Sequence, residues 1–302
     1  MKSEHYIDKI ISQINKEDNI DSLMNLYENV LGDNFPIIRY VYGTNSKLIR
    51  CRINQKDKRF VNVSELTYPQ ADLLKSFGRA NIPGQPMFYA CSFPQDQETY
   101  PPRLVGVMES SSFYRDLQSE GRQRITCSLW TNNRPLSLVV LPFSADYARA
   151  CDDVVYIREQ WENATNTYLG DDYKIKLLEY MGQLLSIDMD DETCYKNIAS
   201  FIHYLMFYNK KTKTADGILY PSVKAAGNSF NMALKPKVAD EVLSILGGGI
   251  MHLIKNKDDC SLLMYQHFNV DKNLLLYRER TSKDKKEYNY FNRKYKYLPL
   301  IN

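Results

Sequence analysis

The sequence predicts an α+β fold, in which a mixed β-sheet of about seven or eight strands carries helical insertions. Strand-like runs cluster in residues 36–143 and again after residue 217, whereas apolar residues recur at helical spacing across residues 145–208. Because strand-rich segments flank one helical block and do not alternate with single helices, the pattern is not that of a doubly wound parallel sheet.

The composition indicates a globular protein with a sizeable core. Of 302 residues, 44% are hydrophobic and 25% are charged, which is close to the average for globular domains. No apolar run approaches the roughly 18 residues of a membrane-spanning helix, and the N-terminus lacks a secretory apolar segment. The six cysteines are scattered, no C-x-x-C pair occurs and only four histidines are present, which argues against a metal site. We therefore expect a cytoplasmic protein with reduced thiols and no membrane partner.

The net charge argues against a nucleic-acid partner. It is +3, with 39 basic and 36 acidic residues. Nucleic-acid binders usually show a stronger basic excess than this.

The N-terminal 31 residues have the spacing of a helical hairpin. Ile7, Ile10 and Ile14 recur at helical intervals, and the pattern resumes at Leu23 after a polar break. Gly32 follows as a helix stop. This pair of helices predicts an N-terminal helical extension over residues 1–35.

Residues 36–42 and 47–54 are predicted as strands joined by the turn GTNS. On the second strand, Ile49 and Cys51 share one face, while Arg50 and Arg52 share the other. Two arginines on one face are usually solvent-exposed, because arginine is seldom buried.

The remaining elements follow from similar patterns. The sequence predicts a helix after Tyr68-Pro69, within residues 64–77. It also predicts a helix from Pro236 that the glycines of LGGGIM (246–251) close. These glycines lack the strand–loop–helix context of a dinucleotide-binding loop. The basic segment 278–297 is expected to be loosely held at the sheet edge. The predicted strands are 86–91, 103–110, 124–131, 136–143, 217–222, 231–234 and two runs between 251 and 268. The strands 124–131 and 136–143 are predicted to form a hairpin, because the turn residues NNRP lie between them.

The stretch GRANIPGQPMFYAC (78–91) combines a turn with polar residues. Arg79 precedes the Pro-Gly turn, and Tyr89 lies on the strand after it. Glu109 and Ser222 end two other predicted strands, so three polar side chains could converge on one cleft. Each also has a structural interpretation: a core tyrosine, a surface glutamate and a turn serine. No G-x-S-x-G, P-loop or H-E-x-x-H motif occurs.

Two segments resemble the signatures of the RES-domain family. GRANIPGQPMFYA is similar to the family pattern R-x-N-x-x-G-x-x-x-x-Y-x-S/A, and DGILYPSVKAAGNSFNMAL (216–234) is similar to its D-G-I-x-Y-P-S segment. The two motifs occur in the family order, and the similarity covers roughly residues 47–255. The resemblance implies an ADP-ribosyltransferase-like sheet as a catalytic domain over 36–258, followed by a strand and basic tail over 259–302.

The resemblance also assigns site residues. Arg79, Tyr89 and Ser222 fall on family positions. Glu109 follows Tyr89 by twenty residues, a longer interval than the family pattern has; Glu98 lies nearer to that interval, but within a polar loop. The implied catalytic residues are Arg79, Tyr89, Glu109 and Ser222, and the implied NAD-binding residues are Asn81, Asn231 and one of Arg50 and Arg52.

Family members are bacterial toxins that consume NAD, often beside an Xre-like antitoxin. The resemblance therefore implies an enzyme that cleaves the nicotinamide–ribose bond by hydrolysis or phosphorolysis, with NAD as substrate and no bound cofactor. Two alternatives stay open: transfer of ADP-ribose to a protein or nucleic acid, and an inactive NAD-binding module. The apolar helix over 192–208 is a candidate surface for a homodimer or an antitoxin.

Overall fold

The computed structural model describes residues 2–55, 58–143, 151–187, 191–257 and 259–301. Within these ranges the chain forms nine α-helices and eleven β-strands, which confirms the α+β class. By its internal contacts the chain divides into two units, each assembled from three segments. Unit 1 consists of Met1–Thr44, Pro69–Tyr89 and Arg134–Glu241, and unit 2 consists of Asn45–Tyr68, Ala90–Asn133 and Val242–Asn302.

Unit 1 begins with the predicted helical pair. Helix α1 spans Lys2–Lys16 and α2 spans Ile20–Leu31. The side chain of Asn19 caps the first turn of α2. Gly32 ends this helix with a φ of +57° and donates its N–H to the carbonyl of Glu28. The polar break and the glycine stop are therefore confirmed.

Four strands of unit 1 pair in the order β1-β5-β6-β7. The β5–β6 pair is parallel and the other two pairs are antiparallel. Every residue of β6 and β7 is buried, including the polar Asn231 of β7. These strands are β1 (Ile38–Tyr42), β5 (Leu136–Val140), β6 (Gly217–Pro221) and β7 (Phe230–Leu234).

The predicted helical block is confirmed in its described parts. Its helices pack close to the chain that follows β5: a Cβ at Gly182 would lie 2.0 Å from the carbonyl oxygen of Pro142. The predicted helix start at Pro236 is also present. The helices are α5 (Asp152–Asn166), α6 (Asp172–Ser186), α7 (Glu192–His203, extended by a π-helical turn over Tyr204–Tyr208) and α8 (Pro236–Val242).

Unit 2 contains an antiparallel set in the order β2-β4-β8-β9-β10. Strand β11 pairs parallel with β4, and the end of β3 at Cys91 and Ser92 pairs with β2. The strands are β2 (Lys47–Ile53), the part of β3 (Phe88–Ser92) from Ala90 onward, β4 (Gly121–Asn132), β8 (Leu243–Lys255), β9 (Cys260–Asp271), β10 (Leu274–Tyr277) and β11 (Leu300–Ile301). The helices are α3 (Pro102–Ser110), α4 (Ser112–Arg115) and α9 (Ser282–Lys294).

The prediction of a strand over 103–110 is wrong, because this segment is helix α3. Pro102 stands at its first helical position, where a missing N–H costs nothing. Gly106 lets the helix lie directly on β2, since a Cβ there would be 2.7 Å from the sulfur of Cys51. The predicted helix after Tyr68-Pro69 is wrong as well. Only a short 3₁₀ turn forms there, at Ala71–Leu73, and the carbonyl of Leu74 then accepts from the N–H of Gly84 and not from a next helical turn. Another 3₁₀ turn precedes Pro69, at Val63–Leu66.

The glycines of LGGGIM do not close a helix. Helix α8 ends at Val242, and the glycines lie inside β8. A Cβ at Gly248 would lie 2.2 Å from the carbonyl oxygen of Cys127, so Gly248 allows β8 to approach β4. A Cβ at Gly249 would lie 2.6 Å from the carbonyl oxygen of Gln266, so Gly249 allows β8 to approach β9. The two predicted strands around NNRP exist but form no hairpin, because β4 pairs with β2, β8 and β11, whereas β5 pairs with β1 and β6.

The basic tail is also more ordered than expected. Thr281 and Asp284 form a capping box that begins α9. Tyr295, just after α9, is buried and donates its hydroxyl proton to Asp259 at 2.7 Å. The tail is therefore a helix with a buried anchor.

Candidate functional site

The turn before β3 has the predicted shape. The N–H of Gly78 donates to the carbonyl of Asn81 at 2.9 Å, and the N–H of Gln85 donates to that of Ile82 at 3.1 Å. Gly84 has a φ of +74°, a conformation that favours glycine. The Pro-Gly turn that the sequence predicts is therefore confirmed.

Tyr89 is anchored to this turn by its hydroxyl. The hydroxyl donates to Oδ1 of Asn81 at 2.8 Å and accepts from the N–H of Ala80 at 2.8 Å. Asn81 is buried, while the ring of Tyr89 is half-buried. A Cβ at Gly78 would lie 2.3 Å from Oδ1 of Asn81, so glycine is needed at that position. The asparagine and tyrosine of the motif are thus joined directly, and Arg79 lies in the same turn, one residue before Ala80.

Arg79 makes a contact that its sequence position does not indicate. Its Nη1 donates to the carbonyl oxygens of Leu185, at 3.0 Å, and Ile187, at 2.7 Å. These carbonyls lie at the C-terminal end of α6, where the last carbonyls of a helix have no partner within it. Within the described part of the chain, Nε and Nη2 of this half-buried guanidinium form no hydrogen bond.

Ser222 follows β6, as predicted, and is completely buried. Its hydroxyl accepts from the N–H of Ala225 at 3.1 Å, and its carbonyl accepts from the N–H of Gly227 at 2.9 Å. Asn231 lies on β7 opposite Tyr220 and is also buried. The serine therefore holds the tight turn between these two strands together.

Glu109 lies in the last turn of α3 in unit 2, not at the end of a strand. It is half-buried, whereas Glu98 is exposed in the loop after β3. Burial, together with the negative charge of Glu109, raises the pKa of the Cys91 thiol well above its ordinary value. The carboxylate of Glu109 is therefore close to the β3 end that belongs to unit 2.

Arg50 and Arg52 are both half-buried and both hold the segment after β2. Arg50 donates to the carbonyl of Leu66 at 2.9 Å and to that of Thr67 at 2.8 Å. Arg52 donates to the carbonyl of Glu65, and burial lowers its pKa. The expectation that both arginines are solvent-exposed is wrong, because backbone carbonyls take up their donors.

Asp216, the first residue of the second motif, has a function that sequence reasoning missed. It receives two hydrogen bonds from Arg134 and one from the N–H of Ser137, all at 2.8 Å. Burial acts to raise the pKa of Asp216, but these hydrogen bonds outweigh burial and hold the pKa below its ordinary value. The aspartate therefore fixes the start of β5 beside β6.

A cavity of about 510 Å³ lies between α5 and α6. Its described lining includes Ile157, Trp161 and Glu179, and the indole N–H of Trp161 donates to Glu179 at 3.4 Å. The volume is in the range of small-molecule sites. No described residue that was predicted to bind NAD lines this cavity.

Neither a metal cluster nor a membrane span is present in the described ranges. No group of three or more histidine, cysteine, aspartate or glutamate side chains there could hold a metal ion. No helix there has both the length and the apolar character that crossing a bilayer requires.

Comparisons with models of protein families, with curated proteins and with solved structures returned no match for this chain.

Proposed function

We propose that this chain cleaves the bond between nicotinamide and ribose in NAD. The observation that supports the proposal most is the placement of Arg79, Asn81 and Tyr89 in one turn and the strand that follows it. One side of the Arg79 guanidinium is fixed by the end of α6, and the hydroxyl of Tyr89 is fixed by Asn81. A guanidinium edge and an aromatic ring are thus held in place before any ligand arrives, which lowers the entropic cost of binding.

The two groups suit the two parts of NAD. The Nε and Nη2 edge of Arg79 can donate two parallel hydrogen bonds to a phosphate, and it stays charged at any working pH. The ring of Tyr89 can stack on the cationic nicotinamide, an interaction worth about 0.5–2 kcal/mol. Asn231 and Arg50 or Arg52 are further candidates for contacts with the ribose and phosphate groups.

Glu109 is proposed to act on the reacting carbon. When the C1′–N1 bond breaks, its electron pair neutralises the pyridinium, nicotinamide leaves, and positive charge develops at C1′. A carboxylate stabilises this charge, and removing such a group typically costs about a hundredfold or more in rate. Water or phosphate then attacks C1′, and water loses a proton to solvent. Ser222 supports the β6–β7 turn and is proposed as a positioning residue.

The cellular role that the RES resemblance suggests is proposed with it. The chain would be a bacterial toxin or defence effector that acts in the cytoplasm and is restrained by an Xre-like antitoxin. Expression in a bacterial host should then lower the cellular NAD concentration, and the Glu109→Gln variant should not.

The direct test is release of nicotinamide from NAD by the purified protein, measured by chromatography. Glu109→Gln should lower the rate by about a hundredfold or more while the melting temperature stays near that of the wild type. Glu98→Gln is the matched control, because Glu98 is the other glutamate near the expected spacing and is exposed.

The result that overturns the proposal is a wild-type protein that releases no nicotinamide, with or without phosphate and a cell extract. NAD labelled in the adenylate part distinguishes the products. Free ADP-ribose or its 1-phosphate supports cleavage, whereas label bound to a macromolecule supports the alternative of ADP-ribose transfer.

A further inference from the structure

Unit 2 contains a cluster of arginines and tyrosines outside the proposed NAD residues. We define the arginine–tyrosine cluster as Arg59, Arg124, Tyr265, Arg280 and Tyr288. The guanidinium carbon of Arg280 lies 3.9 Å from the ring centre of Tyr265 and 4.3 Å from that of Tyr288. The guanidinium carbon of Arg124 lies 5.8 Å from the Tyr265 ring.

Tyr265 is placed at the centre of this cluster by a β-bulge. The register between β8 and β9 pairs Ile250 with Gln266 and Met251 with Met264, so Tyr265 is the extra residue. A bulge redirects a side chain out of the regular alternation of a strand, and such bulges are enriched near functional sites. The ring is buried, and its hydroxyl accepts hydrogen bonds from Arg280 and, at 3.4 Å, from Arg59.

The cluster brings several positive charges close together. Within the described ranges, neither Arg59 nor Arg280 forms an ion pair with a carboxylate. Of the described acids near these arginines in sequence, Glu279 is exposed, Asp284 caps α9, and Glu65 accepts from two backbone N–H groups. Two guanidinium groups that donate to one phenol oxygen repel each other, so the arrangement favours a bound anion.

The surrounding surface is basic as well. Residues 278–297 contain eight basic and three acidic residues, a net charge of +5 against +3 for the whole chain. Lys283, Lys286 and Lys294 of α9 are exposed, and so is Tyr290. The nearly neutral composition therefore conceals a concentration of positive charge around α9.

We propose that the arginine–tyrosine cluster binds a phosphate group, carried by a nucleotide or by a nucleic-acid backbone. Tyrosine rings hold the face of Arg280, which leaves N–H groups at its edge to donate to phosphate oxygens. A tetrahedral anion can accept from several guanidinium groups at once and neutralise their repulsion. The exposed lysines of α9 extend this charge along the path that further phosphates of a polyanion would follow.

The test measures binding of sodium tripolyphosphate by calorimetry and by the rise in melting temperature, at constant ionic strength. Arg280→Gln and Arg59→Gln should each weaken binding by about tenfold or more, as expected for a lost charged hydrogen bond. Lys286→Gln removes the same charge from an exposed position of α9 and should change tripolyphosphate binding by less than about twofold.

A second measurement separates binding from a structural role. Without phosphate, Arg59→Gln should melt at the wild-type temperature or above it, because it relieves repulsion between guanidinium groups. A lower melting temperature, with no dependence on tripolyphosphate in either protein, would overturn the proposal. Arg59 is exposed, so this variant serves even if Arg280→Gln does not fold.

Two further ligands identify the source of the phosphate. Binding of a single-stranded twelve-nucleotide oligothymidine that Arg59→Gln and Lys286→Gln both weaken, and that falls steeply with salt, identifies a nucleic-acid backbone. Binding of tripolyphosphate and adenosine monophosphate without oligothymidine identifies a free nucleotide. Wild-type protein that binds none of these ligands would refute the proposal.

Discussion

The hydroxyl of Tyr89 and the side-chain amide of Asn81 form a hydrogen bond of 2.8 Å across the turn that separates them. The same hydroxyl accepts from the N–H of Ala80. One phenol group therefore satisfies two polar groups, of which the Asn81 oxygen is buried.

Tyr89→Phe should lower the free energy of unfolding by about 1–3 kcal/mol, because it leaves the Asn81 oxygen and the Ala80 N–H without their partner. Urea titration measures this change. Tyr290→Phe, which removes a hydroxyl from a tyrosine that is 60% exposed, should have no measurable effect. Equal stability of the wild type and Tyr89→Phe would show that solvent replaces the lost contact.

Arg79→Lys should lower kcat/KM for NAD by about tenfold or more, since a lysine cannot hold the end of α6 and present a fork to phosphate at once. Nicotinamide release across a range of NAD concentrations measures the change. Arg103→Lys, a substitution of the same type at an exposed position of α3, is the control. An unchanged kcat/KM in Arg79→Lys would assign Arg79 to support of α6 alone.

Asp216→Asn should destabilise unit 1 by about 2–3 kcal/mol near neutral pH, because it removes the negative charge that accepts hydrogen bonds from Arg134 and Ser137. The loss is limited because Arg134 is partly exposed to solvent. The pKa of Asp216 is lower in the folded chain than in the unfolded one. Its contribution to stability is therefore fully present above the ordinary aspartate pKa of about 3.9 and is lost as the pH falls through the folded-state pKa.

Urea titrations between about pH 2 and pH 7 test this dependence. The stability difference between the wild type and Asp216→Asn should shrink as the solution becomes more acidic. Asp8→Asn changes an exposed aspartate of α1 and should follow the wild-type curve. A pH-independent difference would contradict the lowered pKa.

Gly248→Ala should lower the free energy of unfolding by about 3 kcal/mol or more, because the new methyl group would overlap the carbonyl oxygen of Cys127 on β4. Ser244→Ala, a small change at an exposed position of the same strand, is the matched control. Thermal unfolding of both variants decides the point. A Gly248→Ala protein as stable as Ser244→Ala would mean that β8 shifts freely against β4.

Elements with a strong local pattern could be predicted from the sequence. The α1–α2 pair followed from isoleucine and leucine spacing and a glycine stop, and β6 and β7 followed from short apolar runs bounded by turn residues. Helix α3 could not be predicted, because its apolar run is as compatible with a strand as with a helix. The close approach of Gly106 to Cys51, which favours a helix lying on β2, exists only in the folded chain.

The candidate site divides in the same way. The turn around Gly84 and the strand position of Tyr89 could be predicted, because both depend on neighbouring residues. The contacts of Arg79 with Leu185 and Ile187 could not be predicted, since these residues lie 106 and 108 positions further along the chain. A turn can be predicted from the few residues that form it, whereas a contact between distant segments requires knowledge of the whole fold.

The threading of the chain through its two units constrains the order in which the protein can fold. Strand β2 precedes β4 in the chain, so it is already synthesised when β4 emerges. Strand β8 pairs with β4 from Gly121 to Asn132, but it is synthesised only after Arg134–Glu241. Until then one side of a twelve-residue strand has no hydrogen-bonding partner, a state that invites pairing with other chains. Distant pairing of this kind also slows folding. The side of β4 that β8 will cover is therefore the place where a partly synthesised chain would be prone to associate with other chains.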